Sequence, residues 1–142
     1  MLVSELMSSA VISVSPEDTV SEAARLLGRY NIGSVPVCSS DNRLRGILTD
    51  RDIVTRCVAA ERDPERTPVR EIMSKSVLSV DTEDDVREAA RKMSEGRVRR
   101  VPVTRGGELV GIIALGDMAR THEFDMEASA ALSEISENVS RL

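Results

Sequence analysis

Two spacings of apolar residues alternate along the chain, and each predicts one kind of element. Val20, Ala23, Ala24, Leu26 and Leu27 recur every three to four positions, which predicts a helix with one buried face ending near Tyr30. Thr19 and Glu22, three apart at its start, form a capping-box pattern, and Gly33 is expected to break the helix. Ser34 to Cys38 and Leu44 to Leu48 are short apolar runs of β-forming residues. Between them Ser39-Ser40-Asp41-Asn42-Arg43 is polar and turn-favouring, so the two runs predict a hairpin. The second run continues as Gly46-Ile47-Leu48-Thr49-Asp50-Arg51-Asp52-Ile53-Val54, a strand leading into a helix expected to reach about Arg62. Thr49 occupies the N-cap position and Asp52 that of the capping-box acid. Ahead of all this, Val3 to Met7 reads as a helical turn and Val11 to Val14 as a brief strand.

The pattern then starts again. Val3–Val37 aligns without a gap on Val69–Val103 at a shift of 66, with about half of the positions identical. Met7 meets Met73, Glu22-Ala23-Ala24-Arg25 meets Glu88-Ala89-Ala90-Arg91, and Val35-Pro36-Val37 meets Val101-Pro102-Val103. After one deleted residue the shift becomes 65, and Gly46, Ile47 and Asp52 meet Gly111, Ile112 and Asp117. The second half therefore predicts a turn at Val69 to Met73, a strand at Val77 to Val80, a helix from Asp85 to about Gly96, a hairpin at Gly106-Gly107 and a helix from Leu115. Pro64 and Pro68 bracket an exposed linker. The expected division is repeat 1 over 1–63, linker 64–68, repeat 2 over 69–122 and a helical tail over 123–142.

Composition narrows the function. A net charge of −5 with no Trp and one Phe argues against a nucleic-acid partner, which wants a basic face and stacking aromatics. No apolar run approaches membrane-spanning length and no export leader is recognisable, so a cytoplasmic protein without a membrane partner is expected. Cys38 and Cys57 lack disulfide or zinc spacing and read as small buried hydrophobes. With His122, the only histidine, Cys38 makes the sole nominal nucleophile–base pair, and no motif supports it. Neither catalysis nor a bound metal is expected. Thr49 and Asp52 stay open to two readings. A cap explains both; a carboxylate can also accept hydrogen bonds from the vicinal hydroxyls of a ribose, beside a Thr hydroxyl that donates or accepts.

The paired Val-Pro-Val segments and the Gly-apolar-apolar-Thr-x-x-Asp that closes the first repeat resemble the cystathionine β-synthase (CBS) domain pair, or Bateman module, and over nearly the whole chain. In particular the chain is similar to stand-alone bacterial CBS proteins. The resemblance implies an α/β fold of two tandem β-α-β-β-α repeats in one globular module, with a C-terminal helix. It also implies a non-catalytic sensor of an adenine nucleotide, AMP, ADP or ATP, as regulatory ligand rather than cofactor. In the family each pocket is composite. Carried over, the first takes Thr49, Arg51 and Asp52 with Arg70, Ser76, Val77, Leu78, Arg99 and Arg100. The second, weaker pocket takes Ala114, Gly116 and Asp117 with Ser4, Ala10, Val11, Ile12, Ile32, Gly33 and Ser34. The duplication is asymmetric at these places: Arg70 stands opposite Ser4, Arg99-Arg100 opposite Gly33-Ser34, and Thr49 opposite Ala114. Phosphate-binding cations are thus expected in the first pocket only, while Arg97 reads as a solvated surface charge.

CBS pairs associate through their helices, so a homodimer is expected, with Val20, Ala24, Leu27, Val86, Ala90 and Met93 as exposed apolar faces. In the tail Leu132, Ile135, Val139 and Leu142 form a narrow stripe that either covers the module's own surface or contacts another subunit. The competing reading of the whole chain is a protein-interaction scaffold with vestigial pockets. The downstream partner is not legible.

Overall fold

The computed structural model describes residues 1–120 and 125–140, with the side chains of the last helix described for 126–136. The elements are α1 (Val3–Leu6), α2 (Val20–Tyr30), β1 (Ser34–Cys38), β2 (Leu44–Thr49), α3 (Asp50–Ile53), β3 (Val80–Asp81), α4 (Val86–Gly96), β4 (Arg100–Arg105), β5 (Glu108–Ala114), α5 (Leu115–Ala119) and α6 (Asp125–Ser140). The fold is mixed α/β, as expected.

Local chemistry sets most boundaries. In α2 the Thr19 hydroxyl accepts from the Glu22 N–H at 3.1 Å while Glu22 accepts from the Thr19 N–H at 3.3 Å, a complete capping box. The helix ends at Tyr30 as expected, but the residue that stops it is Asn31, not Gly33; Asn31 takes the left-handed conformation at φ 53°. Asn tolerates that region because its short polar side chain bonds locally, and Arg97 does the same duty after α4. Gly106 and Gly107, both at positive φ, turn the β4–β5 hairpin.

Three expectations are corrected. Val11–Val14 forms no strand; Val14 makes a single parallel bridge to Val37, and in the second repeat only Val80–Asp81 is strand. These segments are too short and too one-sided in their pairing to sustain a ladder. The helix after Thr49 does not run on to Arg62. It becomes a π-helix at Val54–Val58, and Glu61 turns the chain at φ 59°. Finally, Val20, Leu27, Val86, Ala90 and Met93 are buried, and of that set only Ala24 is exposed. Their 3.6-residue stripe faces each helix's own sheet, so it is core and not a face left over for a second subunit.

The chain forms two compact units, and they are not the two sequence repeats: one comprises Met1–Val11 with Leu78–Leu142, the other Ile12–Val77. In the first, Val3 and Ser4 donate to the carbonyls of Asp84 and Thr82, and Ser8 exchanges both backbone bonds with Ile112. In the second, Val20 donates to Thr67, Val69 to Asp18 and Arg70 to Pro16, while Ser74 exchanges both bonds with Ile47. Each sheet thus receives its outer segment from the other repeat. The crossing explains the repeated glycines. A Cβ on Gly46 would lie 2.8 Å from both the Met73 sulfur and the Ser74 carbonyl oxygen; on Gly111 it would lie 2.6 Å from the Met7 sulfur and 2.9 Å from the Ser8 oxygen.

In the Ile12–Val77 unit the core gathers Val14, Val20, Ala23, Leu27, Val35, Val37, Leu48, Cys57, Val69 and Ile72. The other unit buries Val3, Val86, Met93, Val101, Ile113 and Met118 together with Ala128, Ala131 and Ile135 of α6. The tail therefore covers its own unit, and Arg87 bonds Glu127 at 3.2 Å across the same contact. Its buried stripe is Ala128-Ala131-Ile135. Leu132 is exposed, and the side chains of Val139 and Leu142 lie outside the described residues.

Candidate functional site

The β1–β2 hairpin carries the first candidate motif to the end of its sheet. Ser34 pairs with Thr49, and the Asp50 N–H donates to the Gly33 carbonyl at 2.9 Å, so Gly33-Ser34 lies beside Thr49-Asp50. Thr49 leaves the strand in an extended conformation and caps α3. Its Oγ1 accepts from the Asp52 N–H at 3.0 Å, while the Asp52 Oδ2 accepts from the Thr49 N–H at 3.0 Å. Asp52 is 7% exposed, and its Oδ1 stands 3.7 Å from Arg56 Nη1. The Arg56 guanidinium is fixed in turn by donating to the Ile72 carbonyl at 3.0 Å. After capping, the Thr49 hydroxyl keeps its proton and Asp52 keeps Oδ1, one donor and one acceptor on neighbouring side chains. That is the complement of a vicinal diol.

The second motif repeats half of this. Arg100 pairs with Ala114, the Leu115 N–H donates to the Arg99 carbonyl at 2.8 Å, and Asp117 Oδ2 accepts from the Ala114 N–H at 2.9 Å. Ala114 has no hydroxyl to return the bond. Asp117 is half-buried, with Oδ1 at 3.7 Å from Arg120 Nη1. Gly116 is exposed and a Cβ there would meet nothing within 4 Å.

The other expected site residues sort by unit. With Thr49 and Asp52 in the Ile12–Val77 unit are Arg51, exposed beside its cap, and Ile12 and Ile32, packed against the core. Val77 is half-buried and Ser76 exposed. Arg70 is engaged: its Nη1 donates to Glu17 Oε2 at 2.7 Å. With Ala114 and Asp117 in the other unit are Ala10, Val11, Leu78, Arg99 and Arg100. Leu78 packs against Gly96, where a side chain would collide with it. Arg99 and Arg100 are exposed, and neither has a side-chain partner among the described residues. Each closing motif thus has its nearest backbone neighbours in its own repeat.

Cys38 and Cys57 are buried free thiols. Burial pushes the Cys38 thiol up, against a weaker opposing pull from a bond with Ser13. That is the reverse of what a nucleophile needs. His122 lies outside the described residues. Among the described residues no group of three or more His, Cys, Asp or Glu could hold a metal ion, and no helix is long and apolar enough to cross a membrane.

Four cations escaped the sequence reading. Arg45, Arg56, Arg62 and Lys75 line, together with the expected Arg70 and Ser76, an open groove of about 1210 Å³ in the Ile12–Val77 unit. The signal was present in the duplication, where Arg45 stands opposite Val110 and Lys75 opposite Ser9.

Comparison with known proteins agrees with this architecture. The family model of the CBS domain matches residues 3–59 and again 69–122. The CBS domain-containing protein YhcV of Bacillus subtilis is 40% identical over 94% of this chain and 94% of its own length. The crystal structure of Hypoxic Response Protein I, with two coordinated zinc ions, superposes with a TM-score of 0.79 at 36% identity, covering 85% of this chain and 98% of that one. The CBS domain protein PAE2072 of Pyrobaculum aerophilum, complexed with AMP, superposes with a TM-score of 0.78 at 28% identity over 92% of this chain and 99% of its own. CBS domains are regulatory rather than catalytic modules, and no catalytic family is indicated. With two matched repeats on a shared architecture, the chain belongs to the CBS-domain family and carries two of its domains in tandem.

Proposed function

We propose that this protein is a non-catalytic cytoplasmic sensor that binds an adenine nucleotide, AMP, ADP or ATP, with Thr49 and Asp52 holding the ribose. One observation carries the reading: after mutual capping, Thr49 keeps its hydroxyl proton as a donor and Asp52 keeps Oδ1, beside Arg56 at 3.7 Å, as an acceptor on adjacent side chains. AMP in the PAE2072 complex supports the ligand class. Calorimetric titration with adenosine, AMP, ADP and ATP tests the class and ranks the ligands. The proposal includes a homodimer, which now rests on Val54 and Val58, 58% and 63% exposed, rather than on α2 and α4. Sedimentation at the mass of one 15.5 kDa chain would exclude it.

A second reading has its own support, because capping alone accounts for both Thr49 and Asp52. In that reading the protein is an interaction scaffold with vestigial pockets. Equilibrium dialysis with no retention of AMP or ATP would favour it.

A further inference from the structure

The groove in the Ile12–Val77 unit is lined by five cations, Arg45, Arg56, Arg62, Arg70 and Lys75, against one acid, Glu71, in a chain whose net charge is −5. Arg56 is paired with Asp52, Arg62 with Glu71 and Arg70 with Glu17, whereas Arg45 and Lys75 have no ion pair among the described residues. The fold does not require these charges. The same edge of the other unit carries Val110 for Arg45, Ser4 for Arg70 and Ser9 for Lys75, and it closes with the same backbone bonds, Ser8 to Ile112 where the first has Ser74 to Ile47. A cluster of like charge that the duplicated copy omits costs self-repulsion, so it is explained by something that binds there.

We propose that this groove binds a small anion carrying several linked phosphates. Guanidinium forks and an ammonium group beside the hydroxyls of Ser74 and Ser76 are phosphate-oxygen donors. Arg56 is preorganised by its bonds to the Ile72 carbonyl at 3.0 Å and Ser74 Oγ at 3.4 Å. No aromatic ring lines the groove, so it offers no stacking platform for a base. An extended peptide finds no free strand edge, because the outer edge of β2 is bonded at Ile47 to Ser74. The volume of about 1210 Å³ exceeds what one phosphate fills and leaves room for a chain of them.

The probe is inorganic tripolyphosphate, titrated calorimetrically into the intact protein at low and at physiological ionic strength. Binding is expected that weakens as salt rises. Combining Arg45→Gln with Lys75→Gln should weaken it roughly tenfold or more, since hydrogen bonds to charged groups are lost. Glu71→Gln removes the competing carboxylate and should tighten binding roughly two- to fivefold, the scale of a surface ion pair. Arg29→Gln, outside the groove, should change nothing, and saturating adenosine should displace nothing. All these side chains are exposed, and unchanged thermal melting will show that the variants fold. ATP as competitor assigns the source: displacement points to the phosphate tail of a nucleotide, no displacement to a free polyphosphate. No binding at low salt, equal loss in Arg29→Gln, no tightening in Glu71→Gln or displacement by adenosine would each overturn the proposal.

Discussion

Thr49 with Asp52 and Ala114 with Asp117 close the two repeats with the same backbone geometry, and only the first of these capping pairs has a hydroxyl. Both acids accept the cap N–H, at 3.0 Å and 2.9 Å, so the acid at this position is accounted for by helix initiation in both repeats. Only Thr49 returns a bond to its acid's own N–H, and of the two acids only Asp52 is buried. An acid common to both motifs therefore carries little information about a ligand. The threonine that one of them adds carries more.

Four experiments break or sharpen that comparison. The largest effect expected on the fold is common to the two copies: Gly46→Ala and Gly111→Ala each drive a Cβ into a backbone carbonyl oxygen and should each cost about 1–3 kcal/mol by overpacking. Urea unfolding measures both, and a silent substitution would show that the crossing segment can give way. Next comes affinity. Asp52→Asn should lower nucleotide binding by about 1.5–3 kcal/mol, roughly one to two decades, while Asp117→Asn leaves the tighter site intact. Equal losses in calorimetry would erase the distinction between the motifs.

A smaller effect isolates the hydroxyl itself. Thr49→Ala should cost about 1 kcal/mol, and Ala114→Thr should gain a similar amount by completing the second capping box. Denaturant midpoints of the two variants should move in opposite directions; movement the same way would mean that the hydroxyl is not what separates them. The smallest effect concerns Cys38. Its folded thiol is pushed above the ordinary value of 9.0, so between that value and the raised one the unfolded chain releases a proton that the folded chain keeps. Stability is then undiminished below pH 9 and falls as pH rises beyond it. Cys38→Ser should flatten that alkaline slope in a pH series of melts.

What the sequence disclosed follows from how local each feature is. Thr19 with Glu22, Asp85 ahead of Val86, and the turn before Leu44 act over a few residues, so helices and hairpins are readable from spacing. The crossing of Met1–Val11 and Val69–Val77 between units is set by long-range pairing, which periodicity does not encode. Val20 and Val86 show the same limit: an apolar stripe says that a face is covered, not by what. At the site, Thr49 and Asp52 were visible as a motif, but Arg56 was not, since its link to Asp52 and Ile72 depends on the turn that brings 72–74 against the π-helix. Arg45 and Lys75 could have been found by asking where the two copies differ in charge rather than where they agree.

The crossing segments have a consequence for inheritance. The stretch that was copied and the stretch that packs are offset by one segment, so a single ancestral copy would have presented a sheet edge with its filler pointing elsewhere. Such a copy could complete itself only by trading that segment with a twin, each lending Met7-Ser8 or Met73-Ser74 to the glycine of the other. Joining the twins in one chain turns an agreement between molecules into a property of one. Once the two ends are tethered, neither copy has to remain able to serve the other's role, and the edge carrying Arg45 and Lys75 was free to part ways with the edge carrying Val110 and Ser9.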